Sequence, residues 1–191
     1  MIPRLVVASK NPDKLREIEE VLIPIGLAGE LVSDLDWPDV EETGSTLRDN
    51  AILKARTVCE AVGLPALGDD TGLEVTALEG RPGVFTARYA GPNASYRDNY
   101  QKLLGALDGV EDRSARFTTW VALVFPDGVE ITAAGHVVGT ITLEPRGEAG
   151  FGYDPVFEVE GVTLSEMDPA AKNELSHRAR ALRALVAEVG L

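Results

Sequence analysis

The sequence predicts an α/β fold built on a mixed β-sheet, in a single domain over residues 1–191. Three observations carry that expectation. Strand-type apolar runs alternate with amphipathic helical repeats through the first third of the chain, and a strand-rich middle is then closed by a helix. Residues 116–125 and 129–143 read as two long strands joined by Pro126-Asp127-Gly128. So short a connection requires antiparallel pairing, which excludes a purely parallel, doubly wound sheet.

The elements follow in order. Leu5-Val6-Val7-Ala8 is a short strand. Asn11 and Pro12 suit an N-cap and a first helical position, Leu15, Ile18 and Leu22 recur at helical spacing, and Pro24 and Gly26 are expected to end the helix. Residues 30–35 form a short strand. Leu47, Ala51, Ala55, Val58 and Val62 mark a second helix, stopped by Gly63 and Pro65. Residues 66–77 read as a strand interrupted by the polar knot Asp69-Asp70-Thr71-Gly72, and Glu79 to Gly83 as a loop. Residues 95–107 form a helix with Tyr96, Tyr100, Leu103, Leu104 and Leu107 as its apolar positions. Gly147 to Gly152 is a loop, and Asp168-Pro169 opens a last helix with Leu175, Ala179, Leu182, Val186 and Val189 on its buried stripe.

Composition bounds the function. Lys and Arg number 18 against 31 Asp and Glu, a net charge of −13. That field repels polyanions, so nucleic acid is not an expected partner. An anionic small substrate needs local cations or a bound metal. The apolar runs are too short to span a bilayer and the N-terminus does not read as a signal peptide, so the expectation is a cytoplasmic protein without a membrane partner. Cys59, the single cysteine, reads as a buried structural thiol, and His136 as structural or edge-exposed.

Five stretches carry possible chemistry. Ser9-Lys10-Asn11-Pro12-Asp13-Lys14 leads a strand into a helix N-terminus, where free N–H groups and two lysines suit an anion; a capped helix with solvated lysines is the plainer reading. Glu41-Glu42-Thr43-Gly44 precedes a helix carrying Asn50 and Lys54 one turn apart, either on a solvated flank or facing a cleft. In Asp69-Asp70-Thr71-Gly72 two adjacent carboxylates repel unless a cation or proton lies between them. Such hard oxygens suit Mg²⁺, although Asp and Gly also favour plain turns. Gly150-Phe151-Gly152-Tyr153-Asp154 holds an aromatic between glycines, placed to stack on a nucleobase or to tuck into the core. Lys172, His177 and Arg178 offer cationic donors on the last helix, yet residues 172 and 177 point about 140° apart at 3.6 residues per turn, so either the lysine reaches round or the helix starts later.

Taken in register, Ala8-Ser9-Lys10-Asn11 with Lys14, Glu41 to Gly44, Asn50 to Ala55, Asp69 to Leu73, Pro82-Gly83 with Ala87-Arg88-Tyr89, Phe151 to Pro155 and Ser176-His177-Arg178 resemble the inosine triphosphate pyrophosphatase family, also called Ham1-like, over essentially the whole chain. The resemblance implies a long central mixed sheet flanked by helices, two lobes around a nucleotide-binding cleft, and a homodimer. It implies Mg²⁺-dependent hydrolysis of ITP, dITP, XTP and dXTP to the monophosphate and pyrophosphate, which cleanses the nucleotide pool. By motif, residues 9–14 contact phosphates. Glu42 and Asp70 serve the metal, and Asp70 is also the general base. Thr71, Phe151, Gly152, Tyr153, Asp154, Lys172, His177 and Arg178 contact the nucleotide. Thr71 stands where the family usually has serine, and Asp49 where it has glutamate.

The residues suit that chemistry. Hydrolysis between the α- and β-phosphates needs charge neutralisation and an aligned water more than covalent catalysis, and Lys10, Lys14 and Lys54 suit the departing pyrophosphate. Asp69 and Glu74 are weaker candidates for the metal's surroundings. Donors from Lys172, His177 and Arg178 match a 6-oxo purine and leave adenine's amino group unpaired. The alternatives are a pyrophosphatase for another modified or an ordinary nucleotide, and a nucleotide-binding protein that does not turn over.

Overall fold

The computed structural model describes residues 1–33 and 35–190. In chain order the elements are β1 (Ile2–Val7), α1 (Pro12–Ile25), β2 (Ala28–Val32), α2 (Leu47–Val62), β3 (Ala66–Val75), β4 (Pro82–Gly83), α3 (Tyr96–Ala106), β5 (Ser114–Val124), β6 (Glu130–Ile141), β7 (Phe157–Val159), β8 (Val162–Thr163), α4 (Pro169–Leu175) and α5 (His177–Val189). The strands form one eight-stranded sheet in the order β2-β1-β3-β5-β6-β7-β8, with β4 against β3. β1 pairs parallel with β2 and β3, whereas β4 on β3, β7 on β6 and β8 on β7 are antiparallel. The fold is therefore α/β with a mixed sheet, as the hairpin required.

The chain divides into two compact units, and β3, β5 and β6 each contribute to both. Unit one comprises residues 1–70, 119–135 and 176–191. Here the period-two alternation of strands sorts side chains onto two cores. Leu5, Val7, Leu67, Val121 and Leu123 pack with Ile18 and Leu22 of α1 and Leu182 and Leu185 of α5. Val6, Ala66, Ala122 and Val124 pack with Ala51, Ala55 and Val58 of α2. Gly68 and Gly135 allow this closeness. A Cβ on Gly68 would strike the α2 backbone at Ala51 and Ala55, and one on Gly135 would strike the start of α5 at His177 and Ala181. Unit two, residues 71–118 and 136–175, has its own core of Leu73, Val75, Leu103, Leu107, Phe117, Val137, Ile141, Phe157 and Leu164.

Several boundaries differ from expectation for identifiable reasons. Helix α1 runs through Pro24 and ends at Gly26, whose left-handed conformation lets its N–H reach the carbonyls of Leu22 and Ile23. Pro24, in the last turn, costs the helix the one bond that an N–H there would make to the Glu20 carbonyl. The strand expected at residues 30–35 is β2, two residues earlier, and residue 34 lies outside the described residues. β3 is not interrupted at Asp69-Asp70-Thr71-Gly72 but runs through it. The small β7–β8 hairpin was not anticipated. The last helix is two: Ser176, extended and accepting the Ala179 N–H on its side chain, caps α5 and breaks it from α4. Cys59 is buried and His136 exposed on β6, as expected. Among the described residues no helix is long and apolar enough to cross a membrane.

Candidate active site

Asp69 and Asp70 lie in mid-strand, and this corrects the expectation that they interrupt the strand and hold one cation between them. Consecutive strand residues face opposite ways. Asp69 shares the face of Leu67, towards α1 and α5. Its carboxylate pairs with Lys14 Nζ at 3.2 Å and with Nε and Nη2 of Arg178, each at 3.3 Å, while Nη1 of Arg178 pairs with Glu17. Burial pushes the Asp69 carboxyl up, but Lys14, Arg178 and Lys54 more than reverse this and hold it far below the usual carboxylate range. The same burial lowers the Lys14 ammonium.

Asp70 shares the face of Ala66 and Gly68, towards α2. Asn50 Nδ2 donates to it at 3.1 Å and Lys54 Nζ at 3.1 Å, and Lys54 also reaches Glu42 at 2.9 Å. Asn50 Oδ1 accepts the Gly44 N–H at 2.8 Å, so one amide ties the Glu42 loop to Asp70. Burial raises the Asp70 carboxyl, and Glu42 adds to the rise against the pull of Lys54. Two neighbouring residues thus differ in kind: the cations around Asp69 hold its pKa far down, whereas burial raises that of Asp70. Glu42 and Asp70 converging on one ammonium make a donor set that fits Mg²⁺, which takes one or two carboxylates and completes its shell with water and phosphate. Among the described residues no three His, Cys, Asp or Glu side chains gather into a complete cage.

At the start of α1, Asn11 caps the helix. Its Oδ1 accepts the N–H groups of Asp13 and Lys14, so those two donors are already paired. Pro12 occupies the first turn, Ser9 Oγ accepts the Asn11 N–H at 3.2 Å, and Asp13 lies 3.9 Å from Arg16. Lys10 is exposed and bonds Asp39 at 2.7 Å and the Trp37 carbonyl at 3.2 Å. Of the two lysines only Lys14 turns inward.

Because the helix breaks at Ser176, the offset of about 140° along one continuous helix does not apply to Lys172 and His177. Lys172 lies on α4 in unit two; its Nζ bonds Asp154 at 2.6 Å and stands 5.1 Å over the Phe151 ring. His177 and Arg178 open α5 in unit one, where His177 Nδ1 and Thr119 Oγ1 lie 2.6 Å apart. Phe151, half-buried between two glycines of positive φ, has its N–H held by Asp154 at 2.8 Å. Gly152 is one of those glycines, and Tyr153 turns into the core: its hydroxyl donates to the Thr86 carbonyl at 2.9 Å and its ring meets Phe117 edge-on. The Tyr153 side chain is therefore internal support, with its phenol raised by burial. Thr71 is half-buried on β3. Glu74 is engaged by Arg116 at 2.9 Å in unit two. Asp49, exposed in the first turn of α2, accepts from Ser45 Oγ at 3.2 Å. Sequence reasoning missed Glu17. Glu17 was findable, since it lies three residues after Lys14 and shares its helix face.

A mixed-sheet α/β chain with buried, separately tuned carboxylates on the two faces of one strand has the makings of an enzyme rather than of a structural module. Comparison with known proteins narrows this. Residues 5–188 match the model of the Ham1 family. A dITP/XTP pyrophosphatase of Geobacter sulfurreducens is 48% identical over 193 aligned residues, covering 98% of this chain and 96% of the relative, and one of an Exiguobacterium species is 44% identical, covering 97% and 96%. The solved structure of a HAM1 protein from Coxiella burnetii superposes with a TM-score of 0.87 at 42% identity, covering 99% of each chain; that of the Staphylococcus aureus Ham1 protein gives 0.84 at 36%, covering 98% of each. The chain belongs to the Ham1 family.

Proposed function

We propose that the protein is a Mg²⁺-dependent nucleoside triphosphate pyrophosphatase, acting as one domain over residues 1–191. Its substrates are the deaminated purine nucleotides ITP, dITP, XTP and dXTP, which it hydrolyses to monophosphate and pyrophosphate. The carrying observation is Asp70, buried, 3.1 Å from Lys54, which also reaches Glu42 at 2.9 Å, with its pKa raised by that burial. Relatives named dITP/XTP pyrophosphatase, aligned over nearly the whole chain, support the substrate class.

In this reading Asp70 accepts the proton of the water that attacks phosphorus, because a carboxylate with a raised pKa is a better base than an ordinary one. Glu42 and Asp70 would hold Mg²⁺, which when bound supplies charge neutralisation at the phosphates. Lys14 and Lys54 attract the phosphate oxygens, with Ser9, Lys10, Asn11, Pro12 and Asp13 shaping the turn beside them. Phe151 stacks on the base, and Gly152, Tyr153 and Asp154 fix the loop that carries it. Thr71 contacts the nucleotide. Lys172, His177 and Arg178 supply the donors that a 6-oxo purine satisfies and adenine does not. The protein acts in the cytoplasm as a homodimer.

The test is pyrophosphate release from ITP, XTP, GTP, ATP and dUTP, with Mg²⁺ and with chelator, together with the mass in solution. Fast release from ITP and XTP that stops on chelation is expected. Equal rates across the panel would point to a general pyrophosphatase, and tight binding without release to a non-catalytic binder.

A further inference from the structure

We infer that Tyr96 is a positioning residue for base binding, holding the ring of Phe151 in the orientation that a purine meets. The inference rests on the reading above, in which Phe151 stacks on the base.

Tyr96 stands on a locked helix end. Ser95 Oγ accepts the Asp98 N–H at 3.1 Å, while Asp98 Oδ2 accepts the Ser95 N–H at 2.9 Å and its hydroxyl at 2.6 Å, a complete capping box. Behind it, Asn99 accepts the Ala90 N–H at 2.7 Å and donates to the Ala87 carbonyl at 3.0 Å, and Leu103 is fully buried. The first residue of α3 is therefore fixed in space.

Phe151 has the opposite character. It lies in a loop between Gly150 and Gly152, and the bond from its N–H to Asp154 holds the backbone. Tyr96 meets that ring at a centroid distance of 5.8 Å and a tilt of 46°, inside the range of favourable aromatic pairs, and Lys172 Nζ stands over it at 5.1 Å. Core packing does not account for the tyrosine, because Tyr96 is 42% exposed. What its ring does is add an aromatic contact that, with Lys172, holds Phe151 in one orientation before the nucleotide binds, and such preorganisation favours affinity.

The experiment compares KM and kcat for ITP among wild type, Tyr96→Ala, Tyr96→Phe, Phe151→Ala and the double alanine variant, with Tm alongside. Tyr96→Ala should raise KM about three- to tenfold, the size of an aromatic pair's contribution, with kcat nearly unchanged. Tyr96→Phe should behave as wild type, since the contact is ring to ring. The double variant should be no worse than Phe151→Ala, because Tyr96 acts only through that ring. A raised KM in Phe151→Ala with an unchanged KM in Tyr96→Ala overturns this inference and leaves the proposed function standing, as does full additivity in the double variant. An unchanged KM in Phe151→Ala removes base stacking itself and the inference with it.

Discussion

The same substitution at two adjacent residues should produce opposite phenotypes. Asp69→Asn leaves Lys14 without its carboxylate and leaves Arg178, 3% exposed, with Glu17 as its remaining carboxylate. Breaking a buried pair on one side costs about 3–5 kcal/mol, because the surviving charge is left uncompensated. For a chain of this length each kcal/mol lowers Tm by about 2–4 °C, so Asp69→Asn should melt roughly 6–20 °C below wild type. Asp70→Asn relieves rather than exposes charge. Lys54 keeps Glu42, and the neutral amide removes a carboxylate that burial and Glu42 both disfavour. Its Tm should stay near wild type while kcat falls by about 10²–10⁴, the usual range for loss of a general base. Acidity should separate them as well. The depressed Asp69 carboxyl stabilises the fold above its ordinary value near pH 4, and that contribution fades as pH falls towards its native value. The raised Asp70 carboxyl does the reverse, and its contribution to stability declines as pH rises through the window just above the ordinary value. Thermal melts from pH 3 to 7 with pyrophosphate release at pH 7 read all of this. Equal losses of Tm in the two variants, or a stable Asp69→Asn, would refute the separation of the two carboxylates.

Phe151→Ala should weaken nucleotide binding by about 1–3 kcal/mol, the scale of a stacked base, with little change in Tm; titration calorimetry with ITP and a melt check both, and a large fall in Tm with unchanged affinity would make the ring a packing residue. Arg178→Lys keeps a cation for Asp69 and Glu17 but loses the guanidinium fork, so the preference for ITP over ATP should narrow by about 1.5–3 kcal/mol in kcat/KM. Equal losses on ITP and ATP would instead move Arg178 to the phosphates.

How much was legible in the sequence varied with the range of the interaction. Local signals worked where they are local: Asn11-Pro12 opened α1, Gly63 closed α2, and Pro126-Asp127-Gly128 joined β5 to β6. They misled where tertiary pairing decides. Asp69 to Gly72 has the composition of a turn, but each carboxylate finds a cation on a helix packed against its own face of the sheet, so the backbone stays extended. Ser176 looked like an ordinary helical residue, because a cap inside a helical pattern leaves the apolar periodicity on either side intact. The candidate residues were visible as motifs, but their partners were not. Nothing local tells that Tyr153 hangs from the Thr86 carbonyl or that Arg178 is clamped by Glu17.

The pairing of Asp69 with Asp70 shows why these carboxylates sit on a strand. On a helix, adjacent residues lie about 100° apart, and two carboxylates there would overlap in field and titrate as a coupled pair. On β3 the alternation sends one towards α1 and α5 and the next towards α2. Each helix face then supplies the cation that pairs directly with its own carboxylate. Lys14 and Arg178 fix one as an anion that orders the surrounding cations. Burial, with Glu42 close by, outweighs the pull of Lys54 at the other and raises its pKa. Environments that push the pKa values of neighbouring groups apart are how acid and base roles are divided at constant pH. Gly68, immediately before the pair, completes the arrangement. Its missing side chain lets α2 approach closely enough for Lys54 and Asn50 to reach Asp70, so a bulkier residue there would disturb the reactive carboxylate before it disturbed the anchor.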